Sequence, residues 1–126
     1  MRLTRPVGAF VALVLTCTLS QGLPQPAQAA KPKHQLYARA YERGTTNDFF
    51  VAGKVSTYPG GKIRLLRNVD GGKYKVYKRF KTKGSGKFKS RIYQVGGKKT
   101  CFKVQVPGTT TYRKTTSPNL GCILRD

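Results

Sequence analysis

Turn-forming residues recur roughly every 8–12 positions from residue 36 onward, a spacing typical of all-β sandwiches and barrels. They include Tyr58-Pro59-Gly60-Gly61, Asp70-Gly71-Gly72, Gly84-Ser85-Gly86 and Gly96-Gly97. Between these turns, apolar and polar residues alternate with the period of two that β-strands require. The pattern therefore constrains the chain to an all-β fold, and it excludes a fold built on long helices.

Seven strands follow from this pattern. We place them at about 36–42, 49–57, 62–69, 73–82, 86–95, 99–106 and 120–125. The Thr-rich stretch 109–117 is expected to form a loop or an extension of a strand. The sequence shows no internal repeat and no linker, so these strands should belong to a single domain.

The first 29 residues have the features of a cleaved signal peptide. Arg2 and Arg5 provide a positive start, residues 7–19 form an apolar run, and Ala27-Gln28-Ala29 fits the rule for signal peptidase cleavage. We predict cleavage after Ala29, an exposed tail at 30–35 and a folded domain at 36–126. The mature protein is therefore expected to be secreted, either free or associated with the cell wall.

The chain is strongly basic. It contains 25 Lys and Arg residues against four acidic residues, a formal net charge of +21. Loss of the signal peptide would remove two Arg and leave a charge of +19. A charge of this size repels itself within a compact domain and attracts polyanions. It favours an anionic polymer or an anionic cell surface as the partner over a small-molecule substrate.

Two cysteines remain after the signal peptide, and we predict that Cys101 and Cys122 form a disulfide. The bond would close a loop worth roughly 3 kcal/mol in the chain-entropy model. Phe102 and Ile123 have inward parity, so their neighbours Cys101 and Cys122 should lie outward and pin the last strand to the sixth. Two thiols and the distant His34 do not form a ligand set for a metal, and we expect no cofactor.

The most basic part of the chain is 73–93, where nine of 21 residues are Lys or Arg, five are aromatic and none is acidic. Its alternation predicts two strands that pair as a hairpin through Gly84-Ser85-Gly86. On strict parity, one outward face then carries cations and tyrosines that could bind a polyanion. The candidate binding residues are Lys75, Tyr77, Arg79, Lys81, Lys87, Lys89, Arg91 and Tyr93.

Lys78 conflicts with strict alternation because it shares the inward parity of Val76 and Phe80. An unpaired buried ammonium group is unfavourable. Either a β-bulge near Tyr77 shifts the register, or the Lys78 side chain reaches out at the sheet edge. We favour the bulge, which would turn Tyr77 inward.

Glycines and prolines of turns and apolar residues of the core recur at set spacings along the chain. These spacings are Gly53-x-Val55, Leu65-x-Arg67, Gly71-Gly72-x-Tyr74, Phe80-x-Thr82-x-x-x-Gly86-x-Phe88, Pro107-Gly108 before Tyr112-Arg113, and Ser117-Pro118. Together they resemble small Ig-like β-sandwich modules of secreted actinobacterial proteins. Those modules are similar to fibronectin type III-like and carboxypeptidase-regulatory-like (prealbumin-like) domains. The resemblance spans 49–125 and implies a single seven-stranded antiparallel Ig-like sandwich in an exported setting, without implying an activity.

Catalysis has little support in this sequence, because His34 and Glu42 are the only acid–base pair in sight. We therefore predict a non-catalytic binding module whose basic face engages a cell-wall phosphate polymer, an acidic polysaccharide or a nucleic acid. The alternatives are a structural or protein-binding Ig-like module with incidental charge, a cationic antimicrobial protein and a secreted ribonuclease. The high charge also disfavours self-association, so we expect a monomer.

Overall fold

The computed structural model describes residues 30–125, and the predicted signal peptide lies outside the described residues. The secondary structure of this range is entirely β and comprises eight strands. They are β1 (Leu36–Glu42), β2 (Phe49–Val55), β3 (Lys62–Val69), β4 (Lys75–Lys81), β5 (Lys87–Ile92), β6 (Thr100–Val106), β7 (Thr115–Thr116) and β8 (Gly121–Ile123). Between residues 30 and 125 there is no helix that could cross a membrane.

The strands form two antiparallel sheets. The three-stranded sheet has the order β1-β2-β5. The five-stranded sheet has the order β4-β3-β6-β7, with β8 also paired to β6. The strand β7 pairs with the end of β6 at Val106, whereas β8 pairs with its beginning at Thr100. These two short strands therefore share the edge of β6 that β3 leaves free.

Both sheets contribute inward side chains to one hydrophobic core. The buried members are Val51, Val55, Phe88 and Ile92 from the three-stranded sheet, and Ile63, Leu65, Phe102, Val104, Val106 and Ile123 from the five-stranded sheet. Successive side chains of a strand point to opposite faces, so the residues between these core positions point away from the core. Each sheet consequently has one apolar inner face and one outer face.

All seven predicted strands are present, and the first and third match to the residue. The second, fourth, fifth, sixth and seventh are each shorter than predicted, by one to four residues in total. The eighth strand, Thr115–Thr116, lies in the stretch that we expected to be a loop or a strand extension, so the predicted number of seven strands is wrong. A strand of two residues has no periodicity that a sequence pattern could reveal.

The prediction that β4 and β5 pair as a hairpin is also wrong. The strand β4 pairs with β3, whereas β5 pairs with β2 in the other sheet. The turn between them is attached to β2, because the Val55 amide donates to the Gly86 carbonyl at 2.9 Å. Gly86 has a φ of 86°, and a Cβ at this position would lie 2.3 Å from the Val55 carbonyl oxygen. Glycine is required for this close approach, which carries the chain from one sheet to the other.

The predicted bulge near Tyr77 is confirmed. Leu65 pairs with Lys78 and the next residue, Leu66, pairs with Val76, so Tyr77 is the extra residue on β4. Two residues of β4 thus face one residue of β3, as a β-bulge requires. The bulge reverses the parity of β4, and Val76 points outward instead of inward.

Tyr77 and Lys78 both turn toward the core side of β4. The Tyr77 ring packs against the core, with its centroid 6.2 Å from that of Phe102. The Lys78 ammonium donates to Ser90 Oγ at 2.9 Å and to the Arg91 carbonyl at 3.1 Å. Lys78 therefore links the edge of β4 to β5 of the opposite sheet, and its charge is hydrogen-bonded rather than buried without partners.

The segment 30–35, expected to be an exposed tail, is tied to the domain at His34. This side chain is only 4% exposed. Its Nδ1 lies 2.8 Å from Thr57 Oγ1, and its Nε2 lies 2.9 Å from the Pro107 carbonyl oxygen. The imidazole also stacks on Tyr112, with a centroid distance of 5.1 Å. The tail prediction is therefore wrong at His34, which joins the loop after β2 to the loop after β6.

The predicted disulfide is confirmed. Cys101 of β6 and Cys122 of β8 are directly paired in the register and covalently bonded. Cys101 alternates with the inward Phe102, so the bond lies on the outer side of the five-stranded sheet, as parity indicated. The bond is compatible with an extracellular location.

Candidate polyanion-binding face

The outer face of the three-stranded sheet combines aromatic and basic side chains. In β1, β2 and β5, the residues of one parity pack toward the core, and those of the other parity point outward. We name the outward surface the aromatic–basic face. It consists of Tyr37, Arg39, Tyr41, Phe50, Ala52, Lys54, Lys87, Lys89 and Arg91.

The register arranges these residues in three rows that cross the sheet. From β1 through β2 to β5, the rows are Tyr37–Lys54–Lys87, Arg39–Ala52–Lys89 and Tyr41–Phe50–Arg91. Neighbouring side chains within a row are about 5 Å apart, and successive rows are about 7 Å apart along the strands. Each row contains at least one cation, so positive charge extends over the whole face.

Cation–π contacts hold the Arg39 and Lys89 side chains against aromatic rings of the sheet. The Arg39 guanidinium carbon lies 4.5 Å from the ring centroid of Tyr41, and the Lys89 ammonium lies 4.6 Å from that of Phe50. The rings of Tyr41 and Phe50 stack on each other at 5.8 Å, with an angle of 27° between their planes. These contacts limit the freedom of long side chains, which lowers the entropy lost when they bind a partner.

Two exposed tyrosines lie at opposite ends of the face. Tyr37 is 66% exposed and, with Lys54 and Ser56, helps to line a shallow depression of about 330 Å³. Tyr93 follows β5, is 52% exposed and has its ring centroid 5.1 Å from the Arg91 guanidinium carbon. Both rings are accessible to a planar or apolar group of a ligand.

The charge of the face is poorly compensated. Asp48 accepts a hydrogen bond from the Arg91 guanidinium, and within residues 30–125 this is the one ion pair that involves a cation of the face. Lys54 and Lys87 stand directly opposite each other in the register, an unfavourable arrangement for like charges. In the described part of the chain, the four other cations of the face therefore have no acidic partner.

The eight predicted binding residues do not form one surface. Four of them belong to the aromatic–basic face or adjoin it: Lys87, Lys89, Arg91 and Tyr93. Arg79 and Lys81 lie on the outer face of the five-stranded sheet, where they pair with Arg64 and Lys62. The predicted continuous hairpin face is wrong because β4 and β5 belong to different sheets.

The bulge removes the remaining two residues, Lys75 and Tyr77, from the outward row. Lys75 pairs with Arg67, whose guanidinium carbon lies 4.3 Å from the Tyr77 ring centroid. Together with Lys73, these side chains help to line a cleft of about 300 Å³ beside the β3–β4 turn. They remain part of a basic region, but they are separate from both outer faces.

Five aromatic and basic residues of the face were not predicted from the sequence: Tyr37, Arg39, Tyr41, Phe50 and Lys54. A signal for them was present, because in β1 and β2 they alternate with residues of core parity. What the sequence did not reveal was that β2, rather than β4, is the neighbour of β5.

His34, the one histidine of the chain, is engaged in contacts within the protein. Both ring nitrogens of His34 lie within hydrogen-bonding distance of protein oxygens, on Thr57 and Pro107. Within residues 30–125, no three His, Cys, Asp or Glu side chains are grouped so that they could hold a metal ion. Burial raises the pKa of the Tyr74 hydroxyl above its ordinary value, and the Tyr74 ring centroid lies 4.3 Å from the Lys103 ammonium. The aromatic–basic face can provide ionic attraction, cation–π contact and ring stacking.

Comparison with known proteins does not place this chain in a family. No protein-family model matches it, and no significant match was found among curated proteins or solved structures. The argument for function therefore depends on the geometry and charge of the face.

Proposed function

We propose that this protein is a secreted, non-catalytic module that binds an anionic polymer through the aromatic–basic face. One observation carries the proposal: five cations and three aromatic rings from three strands lie on one surface. Only Arg91 among these cations has an acidic partner within residues 30–125. An anionic polymer would supply the counter-charges that the chain itself does not provide.

The dimensions of the face suit a polymer better than a small ion. Its cations are distributed over three rows, so several repeated anionic groups can be neutralised at once. Each neutralised group releases a counter-ion, and the logarithm of the binding constant then falls linearly with the logarithm of the salt concentration. For duplex DNA contacted by the four unpaired cations, the slope should be about −4.

The partner class is defined by repeated phosphate, sulfate or carboxylate groups. Cell-wall phosphate polymers, acidic polysaccharides and nucleic acids all belong to this class. Contacts of Lys and Arg with such groups position a polymer but do not read its sequence. The binding should therefore be strongly dependent on salt and weakly dependent on the sequence of the polymer.

We further propose that the two sheets form an Ig-like sandwich. Constant-type Ig domains have strands A, B, E and D in one sheet and C, F and G in the other. If β1, β2 and β3 are A, B and C, then β5 corresponds to E and β6 to F. The short strands β7 and β8, which both pair with β6, together take the position of G. The strand order then gives A-B-E and C-F-G, with β4 added beside C. This order supports the sandwich, although a fold of this kind does not by itself assign a function.

Export is part of the same proposal. The signal peptide expected at residues 1–29 supports it, and the disulfide between Cys101 and Cys122 is compatible with it. A bond that closes a long loop in a small, highly charged domain is most useful where thiols stay oxidised.

Binding of fluorescently labelled duplex DNA and heparin across a salt series tests the proposal. The double variant Arg39→Ser, Lys89→Ser removes two cations from the middle row of the face. Its slope should be about −2 instead of about −4, because each lost phosphate contact reduces the magnitude of the slope by about 1. The matched control is Lys98→Ser, Lys99→Ser, which removes two exposed cations from the turn before β6 and should leave the slope unchanged.

The two variants have the same net charge, so the comparison separates location from total charge. Equal losses in both variants would show that the charge acts diffusely, and the aromatic–basic face would not be a binding site. Absence of binding by the wild-type protein at low salt would favour a structural or protein-binding module with incidental charge.

A further inference from the structure

The outer face of the five-stranded sheet carries a second group of cations. Lys62 and Arg64 of β3 pair directly with Lys81 and Arg79 of β4, respectively. The four side chains share one face, because directly paired residues and alternate residues of a strand point to the same side. Lys62, Arg79 and Lys81 are exposed, and Arg64 is half-buried. We name these four residues the basic quartet.

The quartet places like charges opposite each other twice. Cross-strand pairs of the same sign are destabilising, whereas opposite charges at the same positions would attract each other. Arg64 donates a hydrogen bond to Gln105 at 3.1 Å, which orients its guanidinium but does not neutralise it. Among residues 30–125, no carboxylate forms an ion pair with the quartet. The arrangement is suited to an external anion.

The quartet and the aromatic–basic face point in opposite directions. Each lies on the outer side of its sheet, and the inner sides of both sheets share one core. Packed sheets are about 10 Å apart, so the core and both sheets separate the two basic surfaces. A stiff polymer that lies on one surface cannot reach the other. Duplex DNA is such a polymer, since its persistence length is about 150 base pairs.

We propose that the protein bridges two anionic polymer chains, with one chain on the aromatic–basic face and the other on the basic quartet. This inference rests on the proposed function, because it requires that the aromatic–basic face binds polyanions. It adds that one protein molecule has two binding surfaces and therefore cross-links the polymer, as opposed to coating it. Polymers with regularly repeated phosphate or sulfate groups on a stiff chain are the class that fits both surfaces.

A two-step capture experiment tests the bridge. Short duplex DNA is immobilised and loaded with the full-length mature protein, excess protein is removed, and a fluorescent duplex of the same length is added. The wild-type protein should retain the second duplex. The variant Arg79→Thr, Lys81→Thr should still bind the immobilised DNA but should retain at least tenfold less of the second duplex. The variant Arg39→Ser, Lys89→Ser should show a similar loss of second-duplex capture.

The control variant Lys98→Ser, Lys99→Ser should capture the second duplex as the wild type does. When the experiment is repeated with heparin in place of DNA in both steps, the result should be the same. Undiminished capture by the Arg79→Thr, Lys81→Thr variant would overturn the bridge while leaving the proposed function intact. An equal loss in the control would also overturn it, because total charge would then explain capture. Failure of the wild type to bind even the first duplex or heparin would overturn the proposed function together with the bridge.

Discussion

The two sheets of this domain differ both in how they are held together and in what they display. The three-stranded sheet consists of strands of six and seven residues, and its outer face mixes aromatic rings with cations. The five-stranded sheet ends in β7 and β8, of two and three residues, and a disulfide fastens β8. Its outer face carries the basic quartet, in which cations pair like with like. The aromatic–basic face and the basic quartet are thus both cationic, but they differ in their neighbours. Within residues 30–125, aromatic rings on which a ligand could stack lie among the cations of the aromatic–basic face and not among those of the quartet.

Of the changes considered, reduction of the disulfide should have the largest effect on the stability of the domain, and it should affect the five-stranded sheet first. We expect the free energy of unfolding to fall by about 3 kcal/mol, because the bond closes a loop in the unfolded chain and β8 has few other contacts. Urea denaturation with and without reductant measures the change. Amide exchange should accelerate first in β8 and last in β2.

The variant Cys101→Ala, Cys122→Ala serves as the control, since reductant should not alter its stability. Equal stability of the oxidised and reduced wild type would show that the edge of the five-stranded sheet does not depend on the bond.

Loss of the His34 side chain should have the next largest effect. The imidazole bridges Thr57, which follows β2, and Pro107, which follows β6, so it connects the two sheets through their loops. We expect His34→Ala to reduce the free energy of unfolding by about 2 kcal/mol, because buried polar groups lose their partners. Chemical denaturation measures the loss.

His34→Gln introduces an amide that, like the imidazole, can donate and accept hydrogen bonds, so this variant should recover part of the stability. If His34→Ala is as stable as the wild type, the segment 30–35 is not a structural part of the domain.

A smaller effect, on the binding of single-stranded DNA, should distinguish the aromatic–basic face from the basic quartet. Tyr37 is exposed on the aromatic–basic face, and stacking of one base on such a ring contributes about 1–3 kcal/mol. We expect Tyr37→Ser to weaken binding of single-stranded DNA by roughly tenfold, measured by fluorescence anisotropy. Tyr37→Phe retains the ring and should bind as the wild type does.

Heparin has no bases to stack, so its affinity should not change in Tyr37→Ser. A loss of the same size for heparin would assign Tyr37 a structural role in the face instead of a stacking role.

The smallest predicted effect concerns the like-charged pairs of the quartet. Lys81→Glu turns the pair with Lys62 into one of opposite charges, which should raise the free energy of unfolding by about 0.5 kcal/mol at low salt. The gain should shrink as salt screens the charges. Lys98→Glu gives the same net charge at a turn, and it should stabilise the domain less. A gain of equal size in Lys98→Glu would mean that the direct pairing contributes nothing.

The sequence was informative wherever the argument was local. The alternation of Phe88, Ser90 and Ile92 with Lys87, Lys89 and Arg91 persists in β5, where the three outward cations lie on one face. The bulge at Tyr77 could be predicted because a buried, unpaired Lys78 would be unfavourable. The disulfide could be predicted because two cysteines remain after the predicted signal peptide, and their outward parity indicated on which side of the sheet the bond lies.

The sequence was uninformative where the answer depended on distant partners. Gly84-Ser85-Gly86 has the composition of a hairpin turn, but Gly86 packs on the backbone of Val55 and directs β5 into the other sheet. The neighbours of Arg39 and Phe50 therefore could not be inferred from the order of the strands along the chain. His34 gave no periodic signal, because its burial depends on loops that lie 23 and 73 residues away.

The most direct test of the central claim is a nuclear magnetic resonance titration of the mature protein with a heparin oligosaccharide at low salt. The account predicts that the first chemical shift changes occur at outward positions of β1, β2 and β5, with Arg39, Phe50 and Lys89 among them. The amides of Lys98 and Lys99, equally basic but in a turn, should shift little. Changes distributed over all exposed Lys and Arg residues, without preference for the aromatic–basic face, would contradict the account.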